Sequence, residues 1–265
     1  MKKIGIMLAA FVLWAACQSY ADAAFSNERY NWGFRKSSGG QPADAGKKLE
    51  LMLERHGAVY QGDTTKKDIY LTFDNGYENG FTGHVLDVLK KHQVPAAFFV
   101  TGHYLKTAKG LTRRMVKEGH IVGNHSWYHP DLTTNSDSEI AKELNSVREE
   151  TERLTGQKGM AYLRPPRGVF SERTMDVASR LGYRHIFWSL AFVDWNVKDQ
   201  KGAQHSYDQV MKQIHPGAIL LLHTISKDNS DALDRIITDL KKKGYTFKSL
   251  DDLMISRELG SDMLY

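Results

Sequence analysis

Ile69-Tyr70-Leu71-Thr72-Phe73-Asp74-Asn75-Gly76-Tyr77 is a β-rich apolar run that ends in a carboxylate and a glycine. The run has the length and β-branched or aromatic character of a strand, and Gly76 permits the sharp backbone turn that must follow it. Similar runs recur downstream: Ala96 to Val100, His120 to Gly123, Ala161 to Leu163, Arg184 to Trp188 and Ala218 to Leu222. Helical patterns separate them. Ser136 and Glu139 form a capping box ahead of Ile140, Leu144, Val147 and Leu154, and Gly156 supplies the stop. Ser171 caps a helix ending at Gly182, and Leu233, Ile236, Ile237 and Leu240 stripe one ending at Gly244.

Strands alternating with helices imply parallel strands joined by crossover helices. Element order alone fits a doubly wound sheet as well as a barrel. Polar residues decide where function lies: Asp74, His125, Arg164, Asp194 and His223 each follow an apolar run directly or by a few residues. That places them at the carboxyl ends of strands, the functional edge of parallel α/β folds.

Five segments carry possible chemistry. In Asn124-His125-Ser126-Trp127-Tyr128-His129-Pro130, two histidines four apart would lie on one face of a helical turn and bite one metal ion. By spacing alone, two surface or hydrogen-bonded histidines fit as well. Asp74 suits a ligand, a base or a loop cap. Arg164-Pro165-Pro166-Arg167-Gly168 is a stiff turn whose guanidinium groups suit a carboxylate, or a solvated loop. Val193-Asp194-Trp195-Asn196 is the fourth, and Leu220-Leu221-Leu222-His223-Thr224 the fifth. An apolar strand ending in His223 suits an acid or base at a pocket rim, or a satisfied structural histidine.

Together and in this order, the five segments resemble the ordered motifs of the NodB-homology polysaccharide deacetylases, over roughly residues 66 to 247. The flanking sequence and Asn75 are most similar to the peptidoglycan N-acetylmuramic acid deacetylases of endospore formers. The resemblance implies a distorted (β/α) barrel and hydrolytic de-N-acetylation of muramic acid in glycan strands, leading toward muramic δ-lactam in spore cortex. It implies Asp74 as general base, His223 as the acid that protonates the departing amine, Arg164 orienting Asp74, and Asp194 orienting His223. A backbone amide near Arg167 would hold the oxyanion, and Trp195 and Leu222 would wall the acetyl pocket, with Tyr77 beside it.

The resemblance also implies a divalent metal ion, zinc or similar, on His125 and His129. Asn75 stands where the family pattern has a second aspartate, and a neutral amide oxygen is a weaker donor, so lower metal affinity is expected. Arg167 replaces an aromatic residue common in relatives. Its expected partner is the lactyl carboxylate of peptide-free muramic acid. Chitin-oligomer or xylan deacetylation on the same fold, or glycan binding without turnover, are the alternatives.

Composition sets the frame. At 265 residues with 41% hydrophobic and 25% charged content, the chain can bury a full core, without repeats or low-complexity tracts. Lys2 and Lys3 precede an apolar run from Ile4 to Ala16, and Ala21-Asp22-Ala23 offers a small-x-small cleavage site. This reads as a signal peptide over residues 1 to 23, and so as an exported protein; the run is short for a membrane span. A lipid anchor on Cys17 is disfavoured by Trp14. Loss of residues 1 to 23 removes Lys2, Lys3, Asp22 and the one cysteine, lowering the formal charge from +5 to +4 and excluding disulfides and thiolate chemistry. No basic run interleaved with aromatics points to nucleic acid, and no protein partner is implied. Residues 24 to 65 read as a surface extension with one short helix around Lys47 to His56, and 248 to 265 as a C-terminal tail. His84, His103, His120 and His215 have no motif placement and read as structural or surface histidines.

Overall fold

The computed structural model describes residues 25–39 and 41–262; the expected leader, its cleavage site and Cys17 lie outside them. In chain order the elements are β1 (Tyr30–Asn31), α1 (Lys47–Arg55), β2 (Asp68–Asn75), α2 (Thr82–His92), β3 (Ala96–Val100), α3 (Gly102–Thr107), α4 (Lys109–Lys117), β4 (Ile121–Asn124) and α5 (Asp137–Thr155). They continue with β5 (Tyr162–Leu163), β6 (Val169–Phe170), α6 (Glu172–Arg180), β7 (Arg184–His185), α7 (Ala203–Gln213), β8 (Ile219–His223), α8 (Lys227–Lys242), β9 (Thr246–Lys248) and α9 (Leu250–Asp262).

Local sequence accounts for the helix limits. Ser136 accepts from the Glu139 backbone while Glu139 reaches back to Ser136, and the helix stops at Gly156 with φ 76°, a left-handed turn that glycine adopts without a Cβ clash. Ser171 caps α6 in the same way, with Thr174 as its reciprocal partner. Such a cap contributes about 1 kcal/mol each.

β7, β5, β4, β3, β2 and β8 form one sheet in that order, with β9 also on β2, and every pairing is parallel. The sheet curls until its edges meet through an irregular segment. Ile186 donates its N–H to Leu163 (2.8 Å), Ser189 to Ile219 (3.0 Å), and Leu221 donates back to Leu190 (2.9 Å). The result is the distorted barrel expected. The run from Arg184 to Trp188 is a regular strand for only its first two residues, because beyond them its bonding partner changes from β5 to Val59 at Phe187 and to β8 from Ser189.

Strand alternation divides the core. Ile69, Leu71 and Phe73 of β2 face the helices, with Phe98, Leu144, Leu220 and Leu222 in the same layer. Tyr70, Ala97, Phe99, Tyr162, Ile186 and Ile219 fill the barrel interior, whose base is plugged by Leu250, Leu253 and Met254 at the start of α9. Burying each such large side chain stabilises the fold by roughly 1.5–3 kcal/mol.

The segment before the barrel is more deeply integrated than a surface extension. Val59 bridges Ile186 in parallel and Gln61 bridges Ala218 antiparallel, so this short stretch patches the seam between β7 and β8. Met52, Leu53, Ala58 and Tyr60 pack on Phe170, Met175 and Phe187. Its apolar residues are too scattered to show a period, which is why the sequence alone reads as surface there.

Candidate active site

The carboxyl ends of the strands surround a cleft of about 850 Å³ lined by Asp74, His125, His129, Arg167, Trp188 and His223 among others. Its central pair follows from register. Asp74 of β2 lies directly beside His223 of β8, and both side chains point into the barrel mouth.

Asp74 is held from two sides. Arg164, fully buried, donates from Nη1 to Asp74 Oδ1 at 2.8 Å, and His125 Nε2 lies 3.5 Å from Oδ2. Arg164 is itself fixed: Nε donates to the Ile186 carbonyl (3.0 Å), Nη2 to the Phe187 carbonyl (3.2 Å), and its guanidinium lies 4.3 Å from the Phe99 ring centre. Burial pushes the Asp74 carboxyl up, but the Arg164 charge and the neighbouring imidazoles outweigh it, so the carboxyl stays ionised below its usual range.

His223 has the opposite balance. Burial disfavours its charged form, but Asp194 accepts from Nδ1 at 2.7 Å and holds the imidazole above its ordinary value. Asp194 also accepts the His223 backbone N–H at 2.8 Å. Nδ1 thus carries the proton shared with Asp194, and Nε2 is left for the cleft. Asn229, unforeseen from sequence, donates to Asp194 Oδ2 at 2.5 Å and completes this anchor. Nothing in its local sequence marks it, since it follows the N-cap Ser226 inside a helical pattern.

His125 and His129 converge, with ring centres 4.8 Å apart. They do so on a loop, not the helical turn expected: Ser126 and His129 have φ of 61° and 58°. Three side chains impose that backbone. Asn124 accepts from Ser126, Ser126 accepts from His129, and the buried Glu143 of α5 accepts from both Trp127 (2.8 Å) and Tyr128 (2.9 Å). The Arg164 carbonyl accepts from His125 Nδ1 (2.8 Å), fixing the tautomer. Burial lowers the pKa of both imidazoles, that of His129 to about 4, so both stand neutral, as a metal requires.

Asn75 is placed differently from the expectation. It does not line the cleft; its Nδ2 donates to Thr224 Oγ1 at 2.7 Å, and its Oδ1 is a buried oxygen without a partner. Among the described residues no three His, Cys, Asp or Glu are grouped to hold an ion. The donors facing the cleft are therefore two neutral imidazoles beside the Asp74 carboxylate, a set that fits a weakly held divalent ion.

The remaining expected residues sort by strand period. Tyr77 and Trp195 are half-exposed on the rim, Trp195 with its ring 5.7 Å from that of His223. Leu222 is corrected: it faces the helices in the buried core, and Leu221 lines the cleft. Side chains two apart share a strand face, so counting back from His223 points to Leu221. Arg167 is exposed on the cleft wall in a left-handed turn (φ 57°), with no hydrogen bond or ion pair on its guanidinium among the described residues. Of the histidines set aside, His215 bonds to Ser189 and the Pro216 carbonyl, His84 bonds to Ser230, and His120 is buried. His103 lines the cleft.

Comparison with known proteins agrees with this geometry. Residues 61–186 match the family model described as polysaccharide deacetylase. The chain is 56% identical to the peptidoglycan-N-acetylmuramic acid deacetylase PdaA of Bacillus subtilis, over 98% of each chain. The solved structure of Bacillus subtilis PdaA, a family 4 carbohydrate esterase, superposes with a TM-score of 0.86 at 59% identity, covering 88% of this chain and 99% of that one. A family 4 carbohydrate esterase from Bacillus anthracis superposes with a TM-score of 0.75 at 55% identity, over 88% and 99%. The chain belongs to the polysaccharide deacetylase family.

Proposed function

We propose that this protein hydrolyses the N-acetyl group of N-acetylmuramic acid in peptidoglycan glycan strands, acting on peptide-stripped muramic residues. The observation that carries the reading is the pairing of Asp74 and His223 on adjacent strands at the mouth of one cleft, the carboxyl held below its usual range and the imidazole above its own. A pair of groups whose environments drive their pKa values apart is what a base and an acid acting in one cycle require.

Asp74 takes a proton from a water molecule as that water attacks the acetamide carbon. The carbonyl oxygen becomes an oxyanion, held by the backbone amide beside Arg167. His223 then gives its Nε2 proton to the sugar nitrogen as the carbon–nitrogen bond breaks, releasing acetate and the free amine. Arg164 keeps Asp74 ionised and aimed, and Asp194 with Asn229 keeps His223 charged and aimed. Leu221, Trp188 and Trp195 supply apolar walls for the methyl group. A divalent ion such as zinc would be held by His125 and His129, and would polarise the carbonyl and make the water more acidic.

Two observations support the muramic assignment: the name of the Bacillus subtilis relative and the unpaired Arg167 on the cleft wall. The lactyl ether of peptide-free muramic acid ends in a carboxylate, which a guanidinium can bind by two hydrogen bonds. The expected leader would deliver the protein to the wall, and the free amine product is what muramic δ-lactam formation in spore cortex needs.

Mass spectrometry of muropeptides after treatment of peptide-stripped peptidoglycan tests the reading. Acetyl loss on the muramic residue is expected, with activity lost on dialysis against a chelator and regained with zinc. Loss from glucosamine only, or from chitin oligomers at equal rate, would overturn the substrate; no acetate release at all would overturn turnover.

A further inference from the structure

The cleft wall that carries Arg167 is built from outside the barrel. Arg167 and Gly168 are both left-handed, with φ of 57° and 66°. That conformation is costly for an arginine and persists only where the surroundings impose it. Along the wall, Trp188 follows β7 on the irregular segment, with no regular strand to hold it.

One residue of the N-terminal segment bonds to both. Trp32 donates its backbone N–H to the Gly168 carbonyl at 2.7 Å and its indole Nε1–H to the Trp188 carbonyl at 3.0 Å. Its ring packs 4.6 Å from Phe187 and 5.3 Å from Tyr60. The two residues before it, Tyr30 and Asn31, pair antiparallel with Phe170 and Val169, immediately after the Arg167 turn. There is no slack: a Cβ on Gly168 would stand 2.9 Å from both Trp32 and Trp188. Trp32 itself does not line the cleft.

We propose that Trp32 is a positioning residue for substrate recognition. By tying together the Gly168 and Trp188 carbonyls, it holds the left-handed Arg167 turn so that the guanidinium meets a carboxylate carried by the sugar undergoing deacetylation. The N-terminal segment is then part of the specificity apparatus. This rests on the muramic reading of Arg167 given above.

The test compares wild type, Arg167→Ala, Trp32→Ala, Trp32→Phe and the Trp32→Ala/Arg167→Ala double variant. Each is assayed for acetate release on peptide-stripped muramic strands and on N-acetylglucosamine oligomers, which lack the carboxylate. Arg167→Ala and Trp32→Ala are each expected to raise KM for the muramic strands about tenfold and KM for the oligomers far less, while any fall in kcat, coming from the oxyanion-holding amide on the same turn, is shared by both substrates. Trp32→Phe keeps the ring and the backbone bond but loses the indole donor, so a rise of a few-fold is expected. The double variant should be no worse than either single one, because both act through the same contact.

Equal rises in KM on both substrates, or multiplying rises in the double variant, would overturn the proposal. If thermal melting shows Trp32→Ala unfolded, Trp32→Phe decides, and an unchanged KM there overturns it. Failure of the underlying reading looks different: wild type then releases no acetate from muramic strands, or Arg167→Ala leaves the substrate preference intact.

Discussion

The two sides of the cleft are built by different rules. On one side β2, β3, β4 and β8 run four to eight residues each in continuous parallel register, and Asp74, His125 and His223 stand at or just past their ends. On the other, β5 and β7 are two residues long, and the chain carrying Arg167 and Trp188 is held by an N-terminal segment. Register fixes atoms to within a hydrogen bond without help from side chains, so the reacting pair sits where register is unbroken. The irregular side can vary in sequence without moving that pair, and it carries the contact that reads the substrate. Arg164 links the two, rooted beside β5 and bonded to Asp74 on β2.

The sharpest way to break the regular side is to remove its acid. His223→Ala should lower kcat by about 10²–10⁴, with a modest loss of stability, because the buried Asp194 carboxylate loses its imidazole partner but keeps the Asn229 amide and the residue 223 backbone N–H. Acetate release together with a thermal melt checks both halves. Loss of activity with binding of glycan retained would show that the cleft recognises sugar independently of its acid.

Breaking the link should cost stability as well. Arg164→Ala leaves the Asp74 carboxylate buried without its cation and strips the Ile186 and Phe187 carbonyls of their donor. Roughly 3–5 kcal/mol of stability should be lost, read as a fall in denaturant midpoint, and turnover with it. Arg164→Lys should not restore function, because an ammonium cannot serve a carboxylate and two carbonyls in one plane. Recovery by lysine would mean that charge alone matters there.

The pH profile sharpens the comparison within the regular side. Activity needs Asp74 ionised and His223 protonated. Asp74 is held below its usual range, so the acid limb should lie below about pH 4. His223 is held above 6.5, so activity should be full below that and fall as pH rises through the elevated value. Asp194→Asn removes the main influence that raises it and leaves burial, which lowers it. The basic limb should therefore move to lower pH and kcat fall about 10²-fold at neutral pH. A limb that stays in place would assign it to another group.

Much of this was legible in the sequence because it depends on period and punctuation. The strand that ends in Asp74, the capping box at Ser136 and the stop at Gly156 are local events, and the structure places each where its residues dictate. Asp74, Arg164, Asp194 and His223 emerge because each follows an apolar run. What escaped depends on contacts between distant segments. The His125–His129 loop owes its shape to Glu143, some fourteen to eighteen residues away, and Asp194 owes its orientation to Asn229. Trp32 and Val59 act on a seam that exists only once the barrel has curled. Motif position makes Asn75 a ligand, yet its amide nitrogen is committed to Thr224, a partner visible only when β2 and β8 lie side by side.

The smallest expected effect on catalysis comes from a pair of neighbours on β8. Leu222 is fully buried among the residues between sheet and helices, whereas Leu221 lines the cleft. Leu222→Ala should cost about 2–5 kcal/mol through lost burial and the cavity left behind, with kcat/KM of the folded fraction unchanged. Leu221→Ala should cost less stability, because open space adjoins it, yet raise KM several-fold by loosening the wall around the acetyl methyl. Denaturant titration and steady-state kinetics on the two variants separate these outcomes. If both losses fell on the same residue, the alternation of β8 at the cleft, and with it the aim of His223 two residues along, would be wrong.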